Sequence, residues 1–321
     1  MARFTKIVLT DGETMSGPLR RTLGTTSIAL SSPWVFFGVT FAITWGFWVP
    51  AIVFDLAFDN VLGLALLLLG LLGPGLSGVV LMKLQYTERA QRDFWDRVTN
   101  IRRIGLRWYL AVFLYAPITF AIAAGIDIAL GGTGYVVADW VSHLTSNPVA
   151  FLPTLLFSTL PPVLEELGWR GYALDQLQRT RTALAAGLIL GVVWASWHLP
   201  LFLIEGTNQH DAVGFLTTRF WLFMVGVVAL SVAFTWIHNG TGGSILASIL
   251  LHSWTNFTLQ TVEGTLRTDV LFYIGTLWAF VVLATVIYGA KTLARGKDVP
   301  HPTLKSDRRI SLSKSRNRSE S

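Results

Sequence analysis

The second half of the sequence places carboxylate and imidazole side chains within or at the ends of long apolar runs. Three segments do so: residues 165–170 (EELGWR), 194–198 (WASWH) and 252–256 (HSWTN). An ionisable side chain in such a run is costly inside a membrane, so these residues suggest a functional site. Two Glu, two His, one Asn and one Arg that could meet inside a bilayer indicate an active site.

The two adjacent glutamates of the first segment face different directions on a helix. Glu166 and Arg170 are four residues apart, so they share a face and can form an ion pair. Glu165 lies about 140° from Arg170 on the same wheel and cannot easily share that partner. Glu166 is therefore predicted to be structural, whereas Glu165 is left to face a cavity, where it could act as a general base.

The other two segments supply imidazoles and an amide. Trp194 precedes His198 by one helical turn on the same face, and Pro200 is expected to distort or end that helix. His252 and Asn256 also lie one turn apart. Two hydrogen-bond donors at that spacing suit a developing oxyanion.

A zinc site is the alternative chemistry. Glu165, His198 and His252 could together bind a metal ion. The helical zinc motif, with two His one turn apart and a Glu between them, is absent from the sequence. The sequence has no cysteine, which excludes thiolate nucleophiles, disulfides and cysteine-ligated metal sites. Water activation by Glu165 without a cofactor fits better, because neighbouring donors already supply the electrostatic stabilisation.

The composition is that of a protein with several membrane-spanning helices. Hydrophobic residues make up 52% of the chain and charged residues only 14%, well below the roughly 25% charged residues of a soluble domain. The net charge of +6 is attributed to basic cytoplasmic loops, and no nucleic-acid partner is expected. The predicted class is an all-α, polytopic membrane protein whose first partner is the lipid bilayer.

Apolar runs of the length of a membrane span, about 17–25 residues, predict eight transmembrane helices. They cover about 33–54, 61–83, 108–130, 149–164, 183–203, 220–238, 243–262 and 270–290. With both termini in the cytoplasm, all of the 25 Lys and Arg residues except Arg219 and Arg267 fall on the inner side. These limits put Glu165 at the inner end of its span and His198 near the outer end of its own, so one limit must be wrong if the two meet.

The predicted organisation has five parts. A cytoplasmic N-terminal segment (1–32) precedes a three-helix membrane part (33–147). The catalytic core (148–262) and the last transmembrane helix (263–290) follow. Residues 291–321 are basic and serine-rich, and they are predicted to form a disordered cytoplasmic tail.

Taken in order, the three motifs resemble those of the CPBP family of intramembrane glutamic endopeptidases. This family includes the type II CAAX prenyl proteases and the bacteriocin-processing and self-immunity proteins. The resemblance covers roughly residues 148–260. Many members have Phe where this chain has Trp194, a change that keeps an aromatic wall.

The resemblance implies about eight helices around a conical, cytosol-facing catalytic cavity, in a bacterial cytoplasmic membrane. It implies that Glu165 and His198 activate the attacking water and that His252 and Asn256 form the oxyanion hole. Glu166, Arg170 and Trp194 would support the site. The expected substrate is a membrane-associated peptide or protein, and prenylated substrates are not implied because the bacterial members are diverse.

Two further interpretations remain beside the peptidase. A non-enzymatic scaffold, immunity protein or transporter could use the same polar residues structurally. The Gly-Leu-Ser-Gly sequence at 75–78 superficially resembles the serine motif of rhomboid proteases. Small residues at this spacing in a membrane helix more often permit close helix packing.

Overall fold

A computed structural model describes residues 32–137, 141, 148–264, 269–295, 299 and 301–307. Nearly all of the predicted N-terminal segment (1–32) and residues 308–321 of the predicted tail lie outside this range. The α-helices are α1 (Pro33–Val53), α2 (Val61–Gln85), α3 (Glu88–Thr99), α4 (Leu106–Ala129), α5 (Phe151–Gly168), α6 (Leu174–Gln178), α7 (Ala183–Trp197), α8 (Thr218–Gly240), α9 (Ile245–Thr261) and α10 (Asp269–Tyr288).

The predicted all-α class is confirmed. The described strands are only β1 (Tyr135–Val137) and β2 (Val262–Gly264), which pair as an antiparallel ribbon. Shorter helical segments fill several connections: 3-10 turns at Ile101–Arg103, Pro148–Ala150 and Leu199–Leu203, and π-helices at Trp169–Ala173 and Gln209–Val213.

A helix occupies each of the eight segments that hydropathy predicts to be membrane spans. Six are long and apolar enough to cross a membrane: α1, α2, α4, α7 with its following 3-10 turn, α8 and α10. The protein is therefore an integral membrane protein. That α5 and α9 also cross the bilayer stays a prediction; both carry the polar residues of the motifs, which lower their hydropathy.

The helices pack in an order that differs from their order in the chain. The main contacts run α1–α2–α5–α9–α4–α10–α8–α7. The two ends of this series meet where the Trp48 ring packs on Trp197, with ring centroids 4.8 Å apart. Helices α5 and α7 are not neighbours in this order, so contacts between their side chains cross the interior.

Glycines allow α2 to approach α5 closely. A Cβ atom added to Gly75 would lie 2.5 Å from the Leu164 carbonyl oxygen, and one on Gly78 would lie 2.7 Å from Gly168 Cα. Only residues without a side chain permit such backbone contact. This packing explains the Gly-Leu-Ser-Gly sequence and fixes the part of α5 that carries the two glutamates.

A second buried polar cluster is formed by residues outside the three motifs. Arg97 of the amphipathic helix α3 donates to Asp175 Oδ2 at 2.8 Å and to the Gly243 carbonyl at 2.6 Å. His238 Nε2 lies 3.3 Å from Asp175 Oδ1. The cluster joins α3, α6, α8 and the turn that begins α9. The topology assignment counts Arg97 as a cytoplasmic loop charge, but its side chain is buried.

The described part of the tail packs against the body, which differs from the expected disordered segment. Leu304 is buried and forms an antiparallel bridge with Tyr86. Arg179 donates to the Pro302 carbonyl at 3.1 Å and pairs with Asp307 at 3.0 Å. Hydropathy misses this docking because it depends on one apolar side chain and a few specific hydrogen bonds.

Candidate active site

Helix α5 carries both glutamates of the first motif. The helix extends beyond residue 164, the predicted end of this span, because it continues to Gly168 and then widens into the π-helix Trp169–Ala173. Hydropathy ends the span at the first carboxylate, whereas both glutamates are buried in contacts with other helices. Glu165 can therefore meet residues of α7, although the predicted limits place the two apart.

Glu166 connects the first motif to the third. Its Oε1 atom lies 2.9 Å from Arg170 Nη1 and 2.9 Å from His252 Nδ1. The four-residue spacing thus gives the ion pair that it predicts, although a π-turn begins between the two residues. The contact with His252, 86 positions along the chain, is not visible in the sequence.

The Arg170 guanidinium is fully buried between two aromatic rings. Its central carbon lies 4.6 Å from the Trp194 ring centroid and 4.4 Å from that of Phe234. Cation–π contacts of this kind are strongest when the cation is desolvated. The topology assignment counts Arg170 as a cytoplasmic loop charge, and its burial corrects that. Phe234, on α8, is a site residue that the sequence does not reveal, because nothing distinguishes it from other apolar residues of a span.

Glu165 connects the first motif to the second. Trp194 Nε1 donates to Glu165 Oε2 at 2.7 Å. Glu165 is 4% exposed, and its other oxygen makes no hydrogen bond to the described residues. The same indole also packs edge-on against His252, with ring centroids 5.3 Å apart. Trp194 therefore contacts residues of all three motifs.

His198 caps the end of α7. Its Nδ1 atom lies 2.8 Å from the Trp194 carbonyl oxygen. Because a carbonyl oxygen only accepts hydrogen bonds, Nδ1 carries the proton of the neutral ring and Nε2 is left as an acceptor. Phe223 packs against the ring at 5.4 Å between centroids. The imidazole is thus held in one tautomer and one orientation.

The third motif presents its two side chains from α9. His252 uses Nδ1 toward Glu166, which leaves Nε2 directed away from that carboxylate. Asn256 follows one turn later and is half-buried. Its side-chain amide makes no hydrogen bond to the described residues and is free to meet a substrate atom.

Metal binding is the alternative use of these groups. Within the residues that the structure covers, no three or more His, Asp and Glu side chains are arranged to hold a metal ion. The set of Glu165, His198 and His252 stays a hypothesis that a chelator experiment can test.

Comparison with known proteins agrees with the motifs. Residues 147–258 match the family model described as type II CAAX prenyl endopeptidase, Rce1-like. CAAX prenyl protease 2 of Methanococcus maripaludis is 26% identical over 265 residues, which cover 81% of this chain and 95% of that protein. These matches confirm the resemblance to the type II CAAX prenyl proteases and indicate a membrane-embedded peptide hydrolase.

Proposed function

We propose that the protein is an intramembrane glutamic endopeptidase that hydrolyses a peptide bond with water activated by Glu165. One observation carries the proposal: the two adjacent carboxylates of the first motif form hydrogen bonds with residues of the second and third motifs. Glu165 accepts a hydrogen bond from Trp194 of the second motif, and Glu166 accepts one from His252 of the third. In an active site, side chains with different catalytic roles must lie close together, and these contacts join the motifs that carry them.

Glu165 and His198 are proposed to activate the water. One Glu165 oxygen accepts a hydrogen bond from Trp194, and the other has no partner among the described residues. His198 Nε2 is a fixed acceptor. The Glu165 carboxylate takes a proton from the water molecule while the oxygen of that water attacks the scissile carbonyl carbon. The same proton then passes to the departing amine nitrogen as the carbon–nitrogen bond breaks.

His252 and Asn256 are proposed to stabilise the oxyanion formed by that attack. The Asn256 amide is a donor in any protonation state. With Nδ1 directed at the Glu166 carboxylate, His252 donates from Nε2 in its imidazolium form. Preorganised donors at such a position typically contribute more than 100-fold to rate. Glu166 and Arg170 act here as supports, because neither is exposed.

The proposed substrate is a membrane-associated peptide or protein cleaved near the cytoplasmic face. All eight helices would cross the cytoplasmic membrane around a cavity that opens to the cytosol, with both termini inside. The distribution of Lys and Arg supports this orientation even when the buried Arg97 and Arg170 are left out. The named relative is a CAAX prenyl protease, so a prenylated C-terminal peptide belongs in the substrate set to be tested.

The test compares purified wild-type protein with Glu165→Ala in liposomes. Both are scored for cleavage of a fluorogenic peptide library that includes prenylated peptides, with and without a chelator. Cleavage that is lost only in the variant and is unaffected by chelator supports the proposal. Cleavage lost with chelator moves the site to zinc chemistry. Wild-type activity that survives in Glu165→Ala overturns the role of this residue.

The non-enzymatic scaffold makes a different prediction. In a scaffold, changes at Glu166 or Arg170 should act through folding and abundance, and changes at Glu165 should have no separate effect. In a peptidase, Glu165→Ala removes function while abundance and melting temperature stay near those of wild type.

A further inference from the structure

The indole of Trp194 occupies the centre of the candidate site. It is 3% exposed, and its ring contacts Arg170 at 4.6 Å and His252 at 5.3 Å. Its N–H donates to Glu165 Oε2 at 2.7 Å. Aromatic packing alone would need only the ring of Trp194, so the hydrogen bond from its N–H to Glu165 is an additional feature.

We propose that Trp194 is a positioning residue whose indole N–H holds the Glu165 carboxylate and so selects which oxygen acts on water. This inference rests on the proposed function and assigns a specific role to a residue that motif comparison treats as packing. Among the residues covered by the structure, Trp194 is the one whose side chain donates a hydrogen bond to Glu165. A donor of this kind to a carboxylate is short and strong in a site with little water.

The two oxygens of the Glu165 carboxylate have different surroundings and can therefore have different roles. Oε2 is engaged by the indole, while Oε1 has no protein donor within the described chain and the residue keeps a small exposed area. Oε1 is thus the atom that can receive a proton from water. Without the indole N–H, the carboxylate could rotate and would present either oxygen.

The donor is itself held in place by close packing. One turn before Trp194, a Cβ added to Gly191 would lie 2.8 Å from Val228 Cα on α8. The Trp194 ring packs edge-on against Phe234 of the same helix, with centroids 5.7 Å apart. A group fixed on a rigid helix by packing can hold a catalytic side chain to the tolerance that catalysis needs.

The experiment uses Trp194→Phe in the full-length protein, because phenylalanine keeps the aromatic ring and lacks the N–H. We expect kcat to fall about 10- to 100-fold, the range that loss of one hydrogen bond to a charged group gives. KM should change little, since substrate contacts are retained. The acidic limb of the pH–rate profile should move to higher pH, because a carboxylate without its donor binds a proton more readily.

Trp48→Phe is the matched control. Trp48 is also buried, and its indole N–H donates to the Leu67 carbonyl at 3.0 Å rather than to Glu165, while its ring packs on Trp197 of the second motif. This variant loses the same kind of group from a similar environment. Its kcat and pH–rate profile should follow those of wild type even if its melting temperature falls.

A spectroscopic measurement does not depend on activity or on the folding of Trp194→Phe. In protein with 15N-labelled indoles, the Trp194 resonance should move in Glu165→Gln and titrate with pH in wild type only. The Trp48 resonance should do neither. A Trp194 resonance that is identical in wild type and Glu165→Gln would overturn the inference.

The two proposals fail in distinguishable ways. If Trp194→Phe cleaves peptides with the kcat and pH–rate profile of wild type, the positioning role is wrong and the peptidase function stands. If Glu165→Gln remains fully active, the proposed function itself is wrong, and the positioning role falls with it.

Discussion

His252 Nδ1 and Arg170 Nη1 both lie 2.9 Å from Glu166 Oε1, so one carboxylate oxygen orients the imidazole and holds the guanidinium. The glutamate beside the proposed general base therefore supports the proposed oxyanion hole. Adjacent positions in the sequence serve two different parts of the site because they project from α5 in different directions.

Glu166→Gln should cost both stability and activity. The substitution leaves the buried Arg170 without its anion, and breaking a buried ion pair in this way typically costs about 3–5 kcal/mol. It also replaces the carboxylate that orients His252 through Nδ1. We expect a lower melting temperature in detergent together with a reduced kcat for the molecules that remain folded.

The chain contains a matched control for that experiment. Glu88 and Arg92 have the same four-residue spacing, lie 3.9 Å apart and are largely exposed. An exposed pair contributes about 0–1 kcal/mol, so Glu88→Gln should leave both the melting temperature and kcat near wild type. Equal losses in the two variants would contradict the role assigned to burial.

Gly78→Val should separate α2 from α5. Its side chain would meet the Leu167 carbonyl and Gly168 Cα, both backbone atoms that cannot rotate away. We expect a large loss of folded protein, measured by size-exclusion chromatography and thermal unfolding. Gly38→Ala is the control, because nothing lies within 4 Å of the position its Cβ would take; a similar loss there would argue against the backbone contact.

The buried Arg97–Asp175–His238 cluster should make stability depend on pH. Burial alone would raise the pKa of Asp175, but the Arg97 charge and the His238 contact hold that pKa below its ordinary value. The stabilisation is therefore complete above the unfolded-state pKa, about 4, and is lost as the pH falls through the lower folded-state value. Thermal unfolding across acidic pH should show this loss.

Asp175→Asn tests the origin of that dependence. The variant should be less stable at neutral pH, because Arg97 stays buried without a charged partner, and its stability should vary less with acidification. The exposed Asp55→Asn serves as a control and should keep the wild-type dependence. An Asp175→Asn curve parallel to wild type would assign the acid sensitivity to other carboxylates.

Leu304→Asp should release the docked part of the tail without unfolding the bundle. The leucine is buried against the body, and a charge there would have to be desolvated without a partner. Hydrogen exchange should increase at the Thr87 amide, which donates to the Thr303 carbonyl at 3.1 Å. Protection of that amide equal to wild type would contradict the packing of this segment. Lys305→Ala removes two hydrogen bonds from an exposed side chain to the Lys83 and Leu84 carbonyls but keeps Leu304, so it should raise exchange at Thr87 less than Leu304→Asp does.

The sequence predicts the fold well where the signal is local. Length and apolarity locate helices at all eight predicted segments, and the four-residue spacing of Glu166 and Arg170 predicts their ion pair. The amphipathic helix α3 lies in a connection between two predicted spans, where the sequence shows mainly charged residues. Its buried face includes Arg97, whose partners lie on other helices, and no local pattern marks an arginine as buried.

The candidate site is less predictable because its contacts join distant parts of the chain. Trp194 is read from the sequence as an aromatic wall, since ring packing is what its position on the helix suggests. Its hydrogen bond to Glu165 depends on how α5 and α7 face each other across the interior. The same holds for the contact of Glu166 with His252, which requires α5 and α9 to be neighbours.

Glu165 is the proposed general base, and single-turnover cleavage by Glu165→Gln in liposomes is the decisive test of that role. Glutamine preserves the size of the side chain and can still accept the Trp194 hydrogen bond, but it cannot take a proton from water. With a melting temperature close to wild type, we expect the cleavage rate to fall at least about 100-fold, the lower range for loss of a general base. A folded Glu165→Gln protein that cleaves within a few-fold of the wild-type rate would contradict the account.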